Sequence, residues 1–317
     1  MVAKTVQVVG LGYIGLPTAV ALAGADIAIK GVDVDPAHVE SVNAGKVPFL
    51  EPGLDEALQK VHAQGLISAS TQASAAEAYI VSVPTPKSRD NLLRENVDSR
   101  LIVVTGNTAI DALHYVVDTD QAGEGLSPEF GAALTRPGLK VLVTAHRRES
   151  WEQPLREMAR ALAQSATNHP EGQFLLPAHA NPAVREVLTD ILGTVPNVTI
   201  GDPQPYAAFC GLLKGCDLVL TDSGRIQEEA PALGKPVLVM RDTTERPEAI
   251  AAGTARLVGT TYESVHSALE GMLNSQEERE VMSHAVNPYG DGQAAAHVVA
   301  ALEQLLGVGT RFPDFEA

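Results

Sequence analysis

Short apolar runs alternate with amphipathic stretches along almost the whole chain, the signature of parallel α/β folding. Thr5–Val9 reads as a buried strand, Tyr13–Ala23 as the helix after it, and Ile27–Val32 as a second strand ending at Asp33. Helices are expected at Pro36–Asn43 and Gly53–Ala63, and a strand at Tyr79–Val83 runs into Pro84-Thr85-Pro86. Proline blocks both strand pairing and helix continuation, so regular structure stops there. A helix at Ser88–Glu95, a strand near Leu101–Thr105 and a helix near Thr108–Val117 follow. The polar, Gly- and Pro-containing stretch Asp118–Gly138 reads as a linker. Beyond it, strands are predicted at Val141–Thr144, Phe174–Pro177, Val198–Ile200, Leu218–Thr221, Val237–Met240 and Arg256–Val258. Among the intervening helices, Pro154–Ala166 carries Leu155, Met158, Ala159 and Leu162 at i, i+3, i+4, i+7, one apolar stripe. The expected fold class is therefore α/β, with two Rossmann-like domains built on parallel sheets. They would span residues 1–115 and 139–317, with residues 116–138 as the linker.

Composition narrows the function classes without choosing one. The 317 residues suffice for two domains, each burying its own core. A formal charge of −16 argues against a nucleic-acid-binding face, which needs clustered Lys and Arg. One phosphate group is still easily held, because a helix N-terminus and one or two cations are enough. Cys210 and Cys216, the only cysteines, fit a reduced cytoplasmic chain better than a disulfide framework, and they lack the neighbours a metal site requires. No metal is expected. The start shows no signal-peptide pattern, and no apolar run reaches the roughly 18 residues of a membrane span.

Gly10-Leu11-Gly12-Tyr13-Ile14-Gly15 is a G-x-G-x-x-G placed between a strand and a helix, with Asp33 at the end of the next strand. In a dinucleotide site Gly10 permits the tight turn, Gly12 lets backbone amides approach a pyrophosphate, and Gly15 lets the helix pack on the strand. Tyr13 and Ile14, within the same motif at the start of the helix, are further candidates for cofactor contact. Asp33 would accept from the adenosine ribose hydroxyls and repel a 2′-phosphate, which favours NAD over NADP. A glycine-rich turn that merely packs is the competing reading.

With Gly31-Val32-Asp33-Val34-Asp35, Glu51-Pro52-Gly53-Leu54 and Val83-Pro84-Thr85-Pro86, this segment resembles the opening of the UDP-sugar 6-dehydrogenases, above all the UDP-N-acetylmannosamine dehydrogenases. The resemblance covers residues 1–86 and implies NAD as cofactor. That family oxidises an alcohol with a catalytic cysteine in a later domain, and neither Cys210 nor Cys216 lies in such a motif.

From Ser88 the chain resembles a second family, the non-hydrolysing UDP-N-acetylglucosamine 2-epimerases. The residues that carry this are Ser88–Asn96, Thr105-Gly106-Asn107-Thr108, Thr144–Ser150, Thr221-Asp222-Ser223-Gly224, Gln227-Glu228-Glu229-Ala230, Arg241–Glu248 and Asn287–Gly292. The resemblance implies a GT-B-like arrangement, the last helix Gln293–Leu306 packing back on the N-terminal domain, UDP or UDP-GlcNAc as ligand, and a homodimer. It further implies that Ser223 and Gly224 hold the diphosphate, Glu229 the ribose hydroxyls, Phe209 the uracil, and Arg246 a further ligand contact. By the same resemblance His146 is the catalytic residue near the phosphates. Arg147 and His179 are further candidates for UDP-sugar binding; the competing readings are a helix cap for Ser223 and Gly224, a structural loop residue for His179, and a solvated pair for Arg147 with Arg148. Where the family has a second glycine after Ser-Gly, this chain has Arg225, which either pairs with a phosphate or fills the pocket.

The epimerases' acid/base carboxylates come from segments ahead of the one matching Ser88, and this chain has dehydrogenase-like sequence there. The chain thus reads as a chimera joined near residues 84–88. Three functions remain: a nucleotide-sugar-binding protein with impaired catalysis, an active epimerase (an isomerase), or a fragment of an NAD-dependent UDP-ManNAc dehydrogenase.

Overall fold

The computed structural model describes residues 5–12, 15–49, 54–81, 88–94, 96–119, 121–145 and 153–316. The chain divides into two compact units, residues 1–85 and 86–317.

In the first unit β1 (Thr5–Val9), α1 (Gly15–Gly24), β2 (Ala28–Val32), α2 (Pro36–Asn43), α3 (Leu54–Ala63), β3 (Ile67–Ser70) and β4 (Ala78–Val81) succeed one another. The strands form one parallel sheet in the order β3-β2-β1-β4. Val6, Val8, Leu16, Val20, Ile29 and Leu58 fill its core. Asp35 caps α2 by accepting from the Ala37 amide at 2.9 Å, with Pro36 at the first helical position. Strand β3 was not expected from the sequence. Its ISAS stretch is half polar because it is an edge strand.

The second unit contains α4 (Ser88–Arg94), a 3-10 turn at Ser99–Leu101, α5 (Thr108–Asp118), α6 (Pro128–Thr135), β5 (Lys140–Thr144), α7 (Gln153–Asn168), β6 (Gln173–Pro177), α8 (Pro182–Leu192), β7 (Val198–Gly201) and α9 (Tyr206–Gly215). After these come β8 (Leu218–Thr221), α10 (Ile226–Ala232), β9 (Val237–Val239), α11 (Pro247–Ala251), β10 (Ala255–Leu257), α12 (Tyr262–Asn274), α13 (Gln276–Ser283) and α14 (Ala294–Leu305). Six parallel strands pair in the order β10-β9-β8-β5-β6-β7. One face buries Val141, Leu162, Phe174 and Leu220, and the other Leu142, Leu175, Val219 and Val237. Alternate residues of β5 and β8 thus serve opposite faces, as a sheet covered on both sides requires.

Three expectations change here. The division falls at residue 85 rather than near 115, and α5 belongs to the second unit. Residues 116–138 are not a linker: α6 lies among them, with Phe130 fully buried against the second core. The preceding turn docks on α9, where the Gly123 amide donates to the Ala207 carbonyl at 2.8 Å. A Cβ on Gly211 would stand 2.5 Å from the Gly123 Cα, so this close approach needs glycine. The predicted strand near Leu101–Thr105 is irregular chain after the 3-10 turn, since no neighbouring strand pairs with it. Helix α14 packs on α5, a contact that now lies within the second unit. No helix among the described residues is long and apolar enough to cross a membrane.

Candidate functional site

Strand order fixes where a ligand site belongs in the second unit. The chain lays down β5, β6 and β7 outward in one direction, then returns to β5's other side with β8. At such a switch point the loops leaving two adjacent strands diverge and open a crevice at the strands' carboxyl ends. Thr144 ends β5 and Thr221 ends β8, in register, and their hydroxyls meet at 2.6 Å. Thr221 Oγ1 also accepts from the Ser223 amide at 2.9 Å, while the Asp222 amide donates to the Thr144 carbonyl at 3.2 Å. The turn carrying Ser223 and Gly224 is thereby fastened to both strands. Gln227 holds it from the helix side, donating to the Ser223 carbonyl at 3.2 Å and accepting from the Thr244 hydroxyl at 2.7 Å.

Glu229 follows one turn into α10 and is buried. Its Oε1 accepts from the Tyr206 hydroxyl at 3.1 Å and from Arg225 Nε at 2.8 Å. Burial pushes the Glu229 carboxyl above the usual range, against the pull of the Arg225 charge and its hydrogen bond. Burial and then the Glu229 charge push the Tyr206 phenol upward. Phe209 lies three residues beyond Tyr206 on the same face of α9, partly buried against the second core. Arg246 stands just before the first residue of α11, and its Nε donates to Glu228 Oε1. Asn107, the cap of α5, donates to the other Glu228 oxygen at 2.7 Å. Next to this network Tyr289 and Glu248 each keep a buried oxygen without a partner among the described residues. Burial, then the charges of Glu248 and Glu228, raise the Tyr289 phenol.

The structure therefore gathers Ser223, Glu229 and Arg225, and joins Arg246 to Glu228. His179 lies on the exposed loop after β6, where its Nδ1 accepts from the Asn181 amide at 3.1 Å. His146, Arg147 and Arg148 lie outside the described residues. Sequence reasoning missed Tyr206, whose signal was its spacing of three from Phe209. It also missed Thr144 and Thr221 as a pair, since 77 residues separate them.

The first unit has its own switch point, between β1 and β4. The turn after β1 carries Gly10 at φ +89°, with its amide donating to the Val32 carbonyl at 2.7 Å. A Cβ on Gly12 would meet nothing within 4 Å, so the backbone there is open to an approaching group. Asp33 accepts from the Leu11 amide at 2.7 Å and the Asp35 amide at 2.9 Å. Burial opposes its ionised form, yet the Asp35 and Leu11 amides, together with the His38 ring beside it, hold the carboxyl below the usual range. Gly15 opens α1; Tyr13, Ile14 and Glu51 are outside the described residues. No cluster of three metal-ligating side chains occurs among the described residues.

Comparison with known proteins bears first on the second unit. Residues 72–303 match the family model for UDP-N-acetylglucosamine 2-epimerase. The chain belongs to that family. The Escherichia coli K12 UDP-N-acetylglucosamine 2-epimerase is 51% identical over 223 residues, covering 69% of this chain and 59% of the relative. The chain thus spans about three fifths of the length of the epimerases it matches. Among solved structures, the S. aureus MnaA–UDP co-structure aligns over 99% of this chain and 79% of its own, with TM-score 0.72 and 30% identity. The UDP-GlcNAc 2-epimerase from Neisseria meningitidis bound to UDP-GlcNAc covers 95% of this chain and 76% of its own, with TM-score 0.67 and 31% identity. Residues 4–120 also match the NAD binding domain of the UDP-glucose/GDP-mannose dehydrogenase family. The two matches overlap over residues 72–120.

Proposed function

We propose that this epimerase-family chain binds UDP and UDP-GlcNAc at the turn after β8, and that it turns the sugar over slowly or not at all. The observation that carries the binding is the Ser223-Gly224 turn, fastened at the switch point with buried Glu229 one helical turn away. Amides at that turn and the Ser223 hydroxyl suit a diphosphate, and a buried carboxylate suits a ribose diol. Relatives of this fold have been solved with UDP and with UDP-GlcNAc.

Impaired turnover rests on the first unit. Elimination and re-addition of UDP across C1–C2 needs acid/base carboxylates, and each such group is worth about 10²- to 10⁴-fold. Residues 4–120 match the dehydrogenase NAD-binding model and residues 72–303 the epimerase model, and a join near residues 84–88 falls inside their overlap, consistent with a chain of two ancestries. Proton NMR of UDP-GlcNAc with the protein in heavy water tests this. Uridine signals broadened by binding, with the C2 proton retained, are expected. Exchange of that proton with UDP-ManNAc appearing would restore a full epimerase.

A second reading concerns NAD, and the open backbone at Gly12 favours it. Gly10, Gly12 and Gly15 would hold the pyrophosphate and Asp33 the adenosine ribose, and the residues present fit such a group. When bound, NAD would supply a hydride acceptor. Saturation-transfer NMR should give NAD signals that Asp33→Arg abolishes; NAD signals unaffected by that change would remove this reading.

A further inference from the structure

The residue that replaces a glycine of the family has a consequence for ligand choice. Arg225 precedes α10 with helical backbone angles, φ −64° and ψ −43°, so its side chain reaches Glu229 across one turn. The Nε–Oε1 distance is 2.8 Å. The Glu229 side chain is 2% exposed and that of Arg225 58%, so the guanidinium covers the carboxylate from the solvent side. The Arg225 Cζ stands 4.7 Å from the Tyr206 ring centroid, and the Tyr206 hydroxyl donates to the same Oε1. The arginine is thus held by both a charge-assisted hydrogen bond and a cation–π contact.

We infer that Arg225 is a built-in occupant of the ribose carboxylate, so that this chain discriminates poorly between ribonucleotide and 2′-deoxyribonucleotide diphosphates. The inference rests on the proposed binding site. A neutral diol must displace a cation from a carboxylate that burial already disfavours as an anion, and neutral donors compensate the charge less well. The ligand's hydroxyls therefore return little net affinity, while the diphosphate keeps its contacts at the Ser223-Gly224 turn. A glycine at the same place would leave Glu229 free to accept from the diol.

The test compares UDP with 2′-deoxy-UDP by calorimetric titration of the full chain. In the wild type the two dissociation constants should agree within about threefold. In Arg225→Gly and in Arg225→Ala the ratio should open to roughly 10- to 100-fold in favour of UDP, the worth of one hydrogen bond to a charged acceptor. Arg225→Lys retains a cation and should keep the ratio low. A ratio already large in the wild type, or unchanged by removing the arginine, overturns the inference while the binding site stands. Failure of wild type and variants alike to bind either nucleotide overturns the proposed site itself.

Discussion

Thr221→Val should weaken the protein more than Thr144→Val, and the two effects should not add. Both hydroxyls lie at the switch point, 2.6 Å apart, in the buried ends of adjacent strands. Valine matches threonine in shape, so the changes remove hydrogen bonds without opening a cavity. Thr144→Val costs Thr221 one partner but leaves it accepting from the Ser223 amide. Thr221→Val strands both the Thr144 hydroxyl and that amide. A buried polar group left unpaired costs about 1–3 kcal/mol, so losses of about 1–2 kcal/mol for Thr144→Val and about 2–4 kcal/mol for Thr221→Val follow. In the double variant the Thr144 hydroxyl is no longer present to be stranded, and the total should fall short of the sum by about 1 kcal/mol. Urea unfolding followed by far-UV circular dichroism gives the three values. UDP titration of the same proteins should show the larger loss for Thr221→Val, because only it releases the Ser223 turn. Equal and additive single effects would show that the hydroxyls do not couple the two strand ends, and the derived floor of the site would be wrong.

Phe130→Ala should cost about 3–5 kcal/mol in urea unfolding of the second unit, because a fully buried ring is deleted; a loss below about 1 kcal/mol would return residues 116–138 to the status of a linker. Glu229→Gln should lose less stability than the wild type as pH rises. The folded carboxyl sits above its unfolded value, so the native state holds the extra proton, and stability falls as pH climbs through the interval between the two values. Melting curves for wild type and variant that run parallel from pH 4 to 8 would contradict this. Both cysteines should stay silent to a thiol reagent at pH 8 until denaturant is added, since both are buried and burial pushes the Cys216 thiol up to about 12.

Much of the fold was legible because most strands are apolar on both faces and so stand out as runs. Leu218–Thr221 matched to the residue for that reason, as did α2, with its Asp35 cap and Pro36. Strand β3 escaped because an edge strand carries serines, and the stretch after Leu101 misled because Ile102, Val103 and Val104 look β-forming without a strand to pair with. Phe130 was hidden in a polar segment, where it is the large apolar residue that buries fully while Leu126 and Leu134 pack against the same core in part. At the site, Ser223, Gly224 and Glu229 were singled out through the family resemblance, and the structure places them together on the turn after β8 and the first turn of α10. The partner of Arg225 was not singled out, because i, i+4 geometry permitted a pairing with Glu229 but a phosphate or the pocket competed for the same side chain.

The order in which the second sheet is laid down also bears on kinetics. Pairing β5 with β8 closes a loop of 77 residues, from Thr144 to Thr221, whereas β5–β6 and β6–β7 join close neighbours in sequence. Loop entropy therefore places the fastening of the Ser223 turn late, after the β5–β7 half has assembled. A nucleotide bound at that turn, as proposed, would meet contacts absent from the folding transition state. It should prolong the life of the folded chain by slowing its unfolding, and leave the rate of folding nearly untouched.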